Sequence, residues 1–212
     1  MSIIKNFNKV LVLCPHTDDE FGCAGTIIKL IESGAEIHYF ALSKCEESVP
    51  EGYPRNILFS ECKNATKALG IKNENVKIGN YKVRYFYKYR QDILEEFVKI
   101  NKSINPDLIL LPSSFDVHQD HSVVYKEGLR AFKFSSILGY ELPQNIISFS
   151  NAAFVPLSSN QIDIKIAAMS NYESQRTRSY SRKEFIRSLA VVRGAQCASE
   201  YAESFEVIRL ML

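Results

Sequence analysis

Apolar residues along this chain alternate between two rhythms, short unbroken runs and runs spaced by helical turns. Lys9–Cys14 (KVLVLC) is a nearly continuous apolar run rich in β-forming residues, the pattern of a strand buried on both faces of a parallel sheet. Pro15 closes it. From Gly22 to Ser33, residues Ala24, Ile27, Ile28, Leu30 and Ile31 recur at helical spacing, and Gly34 stands where a helix-ending glycine belongs. Ile37–Leu42 reads as a second strand and Leu58–Leu69 as a second helix, closed by Gly70. Val76–Ile78 is a short strand, Asp92–Ile104 a third helix, and Leu108–Leu111 (LILL) another buried strand ending at Pro112. The spacing then predicts a helix over His121–Phe134, a β-rich stretch at Ile146–Val155, helices over Ile164–Gln175 and Arg182–Ser199, and a last strand at Phe205–Leu210.

This alternation predicts an α/β fold, Rossmann-like, with a mostly parallel sheet, helices on both faces and right-handed crossovers. No internal repeat, low-complexity tract or long linker divides the 212 residues, so one domain over 1–212 is expected. A domain of that size buries roughly 70% of the surface of its unfolded chain, enough for a core that needs no staple. The five cysteines, Cys14, Cys23, Cys45, Cys62 and Cys197, are odd in number, scattered and without a CxxC pair. They argue against a disulfide framework or a cysteine-based zinc site and for a reducing compartment. The apolar run near the N-terminus is too short for a signal-peptide core or a spanning helix, so a cytoplasmic protein with no membrane partner is expected. A formal charge of +2 is too small a surplus to argue for a non-specific polyanion binder, and no nucleic-acid partner is expected.

Candidate chemistry sits in two short clusters that hold three of the four histidines: Pro15-His16-Thr17-Asp18-Asp19-Glu20 and Asp116-Val117-His118-Gln119-Asp120-His121. Each directly follows a predicted buried strand, hence lies at the carboxyl edge of the sheet where ligand crevices form. If the two strands are neighbours, the clusters face each other. His16, Asp19 and His121 would supply two imidazoles and a carboxylate, a set suited to zinc with an open position, or to ferrous iron. Asp18, adjacent but unspent, can act as the base that takes a proton from water. His118 can serve as a protonated donor to a developing oxyanion or leaving group, and Asp116 and Asp120 can orient the histidines as acceptors. An Asp-Asp-Glu run before a helix can equally do no more than complement the helix dipole, and for Glu20 that plainer role weighs as much. His38, alone in a strand, is read as structural.

These residues resemble the PIG-L (LmbE-like) family of metal-dependent de-N-acetylases, whose first motif is P-H-P-D-D-E after strand one and whose second is H-P-D-H or H-x-D-H after a later strand. The resemblance extends to Tyr172-Glu-Ser-Gln175, to Arg193-Gly194 and to Tyr201-Ala-Glu203-Ser-Phe205. It implies His16, Asp19 and His121 as metal ligands, Asp18 as general base and His118 as electrostatic or acid partner. The implied reaction removes acetate from an N-acetylglucosamine-type amino sugar, with Zn2+ or another divalent metal as cofactor and a small molecule as partner. The resemblance also leaves room for a homo-oligomer. Thr17 and Gln119 replace the prolines usual in the motifs, and Tyr172 stands where a histidine is frequent. Tyr172, Arg176 and Arg178 are the candidate substrate contacts.

Two other stretches compete for function. Tyr81–Arg90 (YKVRYFYKYR) interleaves four basic with five aromatic residues and can stack on sugars or bases, or simply lie on its neighbours. Arg176, Arg178, Arg182, Lys183 and Arg187 can grip a carboxylate, phosphate or nucleotide diphosphate, or form a solvated helix face. The alternatives to a de-N-acetylase are therefore a metallohydrolase of another amide or ester, and a non-catalytic module that binds a nucleotide sugar or nucleic acid. The loop Ser43–Asn56, with Pro50, Gly52 and Pro54, is the candidate rim over the site.

Overall fold

The computed structural model describes residues 7–211; residues 1–6, which enter the leader and single-domain expectations, lie outside the described residues, as does Leu212. The elements are β1 (Lys9–Cys14), α1 (Ala24–Glu32), β2 (Glu36–Ala41), α2 (Ile57–Ala68), β3 (Val76–Ile78), α3 (Arg90–Ile104), β4 (Leu108–Pro112), α4 (Gln119–Ala131), β5 (Ser136–Tyr140), β6 (Ala153–Leu157), α5 (Ser159–Met169), α6 (Lys183–Ala195) and β7 (Tyr201–Arg209). The strands form one sheet in the order β3-β2-β1-β4-β5-β7-β6. β1 to β5 are parallel, and β7 runs antiparallel between β5 and β6. The α/β class and mostly parallel sheet expected from the alternation are present.

The unbroken apolar runs are explained by burial on both sheet faces. Val10, Val12 and Cys14 of β1 point into one core, shared with Ile27 and Leu30 of α1, Cys62 of α2, Ile162 of α5 and Ile186 of α6. Leu11 and Leu13 point into the other, shared with Phe97 of α3 and Val124 of α4. Helix α1 stops at Gly34, which adopts φ +93°, as the pattern required. The N–H of Gly34 donates to Ile31 O and that of Ala35 to Leu30 O, the paired bonds that let an αL glycine end a helix. All five cysteines are unpaired, and Cys14 and Cys23 are fully buried packing residues.

The second half departs from expectation. Ser136–Tyr140, unassigned by the apolar pattern, is β5, fully buried and paired with both β4 and β7. The predicted β-rich stretch at Ile146–Val155 contracts to β6, beginning at Ala153. Helix α5 begins five residues earlier than its apolar periodicity suggested and ends at Met169, because Ser158 and Gln161 form a reciprocal capping box at its start. No helix among the described residues is long and apolar enough to cross a membrane.

Candidate metal centre and active site

β1 pairs with β2 on one side and β4 on the other, so strand order reverses at β1 and a crevice opens where β1 and β4 end. The loop after β1 delivers His16 to Asp18 and a short 3₁₀ turn over Asp19–Gly22; the loop after β4 delivers Ser113 to His118 and the first turn of α4. The two clusters therefore meet. Nδ1 of His16 lies 3.1 Å from Nε2 of His121. Each of these nitrogens lies 3.4 Å from Oδ2 of Asp19.

This triangle fits a metal ion. A tetrahedral centre with bonds of about 2.0–2.2 Å holds its ligand atoms about 3.3–3.6 Å apart; the two 3.4 Å sides match this, and the 3.1 Å side between the imidazoles is slightly short. The remaining ring nitrogens are engaged behind the triangle: His16 Nε2 with Asp120 Oδ2 at 3.1 Å, and His121 Nδ1 with Asp116 Oδ2 at 2.7 Å. Such contacts fix ring orientation and the nitrogen presented to a metal. His16, His118 and His121 also gather, with one nitrogen each within 4.8 Å of one another. The Asp19 oxygen closes a tighter triangle with His16 and His121 than His118 does, and carries a negative charge. His118 is otherwise occupied as the N-cap of α4, its Nδ1 accepting the N–H of Asp120 at 3.2 Å.

Burial opposes charge on Asp19, but the His121 and His16 rings beside it prevail and hold its carboxyl down to about 2. Asp18 behaves oppositely. Burial and then the neighbouring charge of Asp19 raise its carboxyl above the ordinary range, against the pull of His16 and of the Tyr180 hydroxyl, which donates to Oδ2 at 3.3 Å. His118 is pushed down to about 4 by burial and by the His121 and His16 rings. This corrects the expectation of a protonated His118: near pH 7 the ring is neutral. Because Nδ1 accepts from Asp120, the single ring proton sits on Nε2, so His118 can donate one hydrogen bond but holds no spare proton.

The triangle opens into a cavity of about 450 Å³ whose wall includes Asp18, His118, Arg84, Asn145, Gln175, Arg178 and Tyr180. Cys45 and Ser48 of the Ser43–Asn56 loop form part of the same wall. Of the three candidate substrate contacts, only Arg178 lines it. Arg176 is exposed and pairs with Glu173 at 3.1 Å. Tyr172 is buried, 3% exposed, and its hydroxyl donates to Glu20 Oε1 at 2.6 Å and also reaches the Thr17 carbonyl. It is a support beneath the first motif and does not reach the cavity. Glu20 is likewise buried, pinned between Tyr172 and Tyr39 (2.9 Å), and burial pushes its carboxyl up to about 8, so it is no solvated dipole partner. His38 sits on β2 beside Glu36, 3.6 Å away.

In the aromatic and basic stretch, Tyr81, Phe86 and Tyr89 join the core beneath α3 and α4, while Val83 and Arg84 reach the cavity. Asn145 and Tyr180 were not singled out from the sequence. Asn145 follows β5, and with β5 unassigned nothing placed it next to β4. Tyr180 lies among arginines with no pattern to mark it.

A model of the PIG-L family, described as GlcNAc-PI de-N-acetylase, matches residues 11–132, more than half of the chain. The chain belongs to the PIG-L family. It is 25% identical over 182 residues to the uncharacterized deacetylase YaiS of Escherichia coli (strain K12), covering 82% of this chain and 96% of that protein. It is 23% identical over 226 residues to the diacetylchitobiose deacetylase of Thermococcus kodakarensis, covering 94% of this chain and 83% of that one. Among solved structures, GalB, the 4-carboxy-2-hydroxymuconate hydratase of Pseudomonas putida KT2440, superposes with a TM-score of 0.79 at 19% identity, over 97% of this chain and 98% of that one. A hydratase on this fold means that the fold alone does not select a reaction. PIG-L membership does, and it makes the chain a hydrolase of the de-N-acetylase class. Within the PIG-L motifs, Thr17 carries a local cost: its buried hydroxyl has no hydrogen-bond partner among the described residues.

Proposed function

We propose that this chain removes the acetyl group from an N-acetylglucosamine-type amino sugar, with a divalent cation, zinc by preference, held by His16, Asp19 and His121. The observation that carries the reading is the 3.1–3.4 Å triangle of His16 Nδ1, His121 Nε2 and Asp19 Oδ2, opening into a cavity beside Asp18, whose Oδ2 accepts from Tyr180. The deacetylase names of two relatives that cover more than four-fifths of the chain support the reaction class, and the chitobiose derivative in one of those names supports the sugar.

When bound, a divalent cation would polarise the acetamide carbonyl and make water more acidic. The chain's own residues do the rest. Asp18, raised by burial and by Asp19, accepts a proton from the water that attacks the carbonyl carbon. His118 donates its Nε2–H to the carbonyl oxygen as that oxygen gains charge. Breaking the C–N bond requires a proton on nitrogen. A neutral His118 has none to give up, so the proton taken by Asp18 is the one returned, leaving acetate and the free amine. Tyr180 holds the Asp18 oxygen in place during both transfers. The cavity is of the size that encloses a small ligand, and Gln144, Asn145 and Gln175 supply amides for sugar hydroxyls.

Acetate release from a panel of N-acetylglucosaminides tests this, using zinc-reconstituted protein, metal-stripped protein and the Asp18→Asn variant. Release that needs metal and falls at least about a hundredfold in Asp18→Asn is expected. Near-normal turnover by Asp18→Asn would remove that residue from the mechanism, and an inert zinc-loaded protein across the panel would remove the sugar assignment.

A further inference from the structure

Glu61 is a buried carboxylate to which the reaction gives no part. It stands on the inner face of α2, 4% exposed, and no cation pairs with it among the described residues. A buried carboxylate is held in place only by hydrogen bonds that replace its water. Here one residue supplies them: Oε1 accepts the Ser174 N–H at 2.8 Å and Oε2 accepts the Ser174 hydroxyl at 2.6 Å. Ser174 belongs to the short 3₁₀ turn over Glu173–Gln175, 113 positions away in sequence.

A serine hydroxyl has a single proton, and in Ser174 it is committed to Glu61. The Ser174 oxygen is left as an acceptor, and it takes the Nε2–H of Gln175 at 3.0 Å. That contact decides which end of the Gln175 amide is which, since only the nitrogen can donate. Gln175 lines the cavity over the His16–Asp19–His121 triangle. Among the described residues, the Thr17 hydroxyl is the only side-chain nitrogen or oxygen that is both fully buried and without a partner. Gln175 Oε1 has no partner within the chain either, so it is accessible, and the cavity wall is where Gln175 is open.

We propose that Glu61, acting through Ser174, is a positioning residue that fixes Gln175 Oε1 towards the substrate as an acceptor, and that Gln175 thereby selects a donating sugar hydroxyl. The proposal deepens the de-N-acetylase reading and rests on it for the sugar; the polarity of the amide rests on the three hydrogen bonds. A site built to accept a hydroxyl disfavours an analogue without the donor, because its own oxygen is then left unpaired.

The same chain of bonds predicts that an isosteric exchange inverts the site. In Glu61→Gln one carboxylate oxygen becomes an NH2 group. The Ser174 N–H can only donate, so the remaining oxygen stays opposite it and the NH2 group faces the Ser174 hydroxyl. That hydroxyl then accepts, and its proton turns to Gln175. The Gln175 amide turns over to receive the proton on Oε1, which leaves Nε2–H on the cavity side. Adding Gln175→Glu restores an acceptor there, since a carboxylate takes the Ser174 proton with one oxygen and shows the cavity the other.

Calorimetry on the zinc-loaded protein tests this with the reaction product, the methyl glycoside of glucosamine, which is not turned over. The other probes carry fluorine in place of each free hydroxyl in turn, a group that accepts weakly and cannot donate. The wild type should bind one fluoro analogue about three- to tenfold more weakly than the parent, the scale of one hydrogen bond. Glu61→Gln should bring that ratio down towards one, and Glu61→Gln with Gln175→Glu should restore it. Gln175→Leu, which removes the amide, should also abolish the ratio and keeps the test decisive where Glu61→Gln fails to fold. A wild type that binds the parent and every fluoro analogue alike, or none of them, would overturn the proposal. So would a preference that persists in Gln175→Leu or fails to return in the double variant. Acetate release from the matching N-acetylated probes is read on the same proteins. Preference without release from any probe would sink the de-N-acetylase reading and leave the acceptor standing; release without preference would do the reverse.

Discussion

Asp120 is the side chain on which most of the site converges, and its removal has a calculable cost. The carboxylate is fully buried. It accepts from His16 Nε2 at 3.1 Å, from the Arg84 N–H at 2.6 Å and from the Phe86 N–H at 3.3 Å. Hydrogen bonds to a charged group contribute about 1.5–3 kcal/mol each, so three sum to about 5–9 kcal/mol. That sum is an upper bound. Arg84 is exposed, so water can take over its N–H, and the bond to Phe86 is long. We therefore expect Asp120→Ala to destabilise the metal-free protein by about 3–5 kcal/mol, or a fall in Tm of about 6–20 °C for a chain of this size. Releasing His16 should in addition weaken zinc by about 10–100-fold, as loss of an orienting partner does. Thermal melts of stripped protein and a competitive zinc titration read the two effects apart. A Tm within about 2 °C of wild type, together with unchanged zinc affinity, would refute the assignment of Asp120 as the hub of the site.

Other consequences are open to direct measurement. Lys165 and Glu203 form a buried ion pair at 2.7 Å, and Glu203 also accepts the N–H groups of Gly25 and Thr26 at the start of α1. Lys165→Met, which strands that carboxylate, should cost about 3–5 kcal/mol in chemical denaturation, and adding Glu203→Gln should restore part of it; a larger loss in the double variant would contradict the pairing. Thr17→Val should stabilise by about 1 kcal/mol because it removes an unpartnered buried hydroxyl, and a drop in denaturation midpoint would show that the hydroxyl is satisfied after all. A Cβ at Gly194 would lie 2.6 Å from the Ser199 and Glu200 carbonyl oxygens, so Gly194→Ala should cost about 1–3 kcal/mol despite its higher helix propensity. A neutral effect on Tm would mean that the turn into β7 yields easily. Burial opposes charge on His16, but Asp19 and Asp120 hold its ring well above the ordinary imidazole range; zinc must displace that proton, so zinc affinity should fall on acidification, and a pH-independent affinity between about pH 5 and 8 would argue against imidazole ligation.

The chemistry was legible because it sits beside the strongest structural signals. β1 and β4 are buried on both faces, which makes them unbroken apolar runs, and each is followed at once by its His/Asp cluster. What the runs do not reveal is that β1 and β4 are neighbours, the condition on which the two clusters meet. The antiparallel end was harder to read. β5 opens on Ser136, directly after Ser135, and contains Gly139, so its apolar content falls below that of β1 and β4. Missing β5 hid the position of Asn145. Helix α5 was misplaced because its start is set by the capping box of Ser158 and Gln161 and not by apolar spacing. Tyr172 was mistaken for a contact because a motif position says nothing of depth: three residues further on, Gln175 reaches the cavity, while Tyr172 lies under Thr17. Arg84 could be found only in three dimensions, since its place in the cavity wall depends on a backbone bond to a residue 36 positions away.

In the proposed ligand set, His16, Asp19 and His121 hold the cation and His118 does not. Zinc titration of Asp19→Ala beside His118→Ala, by calorimetry against a competing chelator, tests it most directly. Asp19→Ala should lose at least about a hundredfold in affinity, since it removes a ligand, and His118→Ala should stay within about tenfold of wild type, the lower end of an outer-shell effect. The reverse order would contradict the ligand set and, with it, the role left for His118 in the reaction.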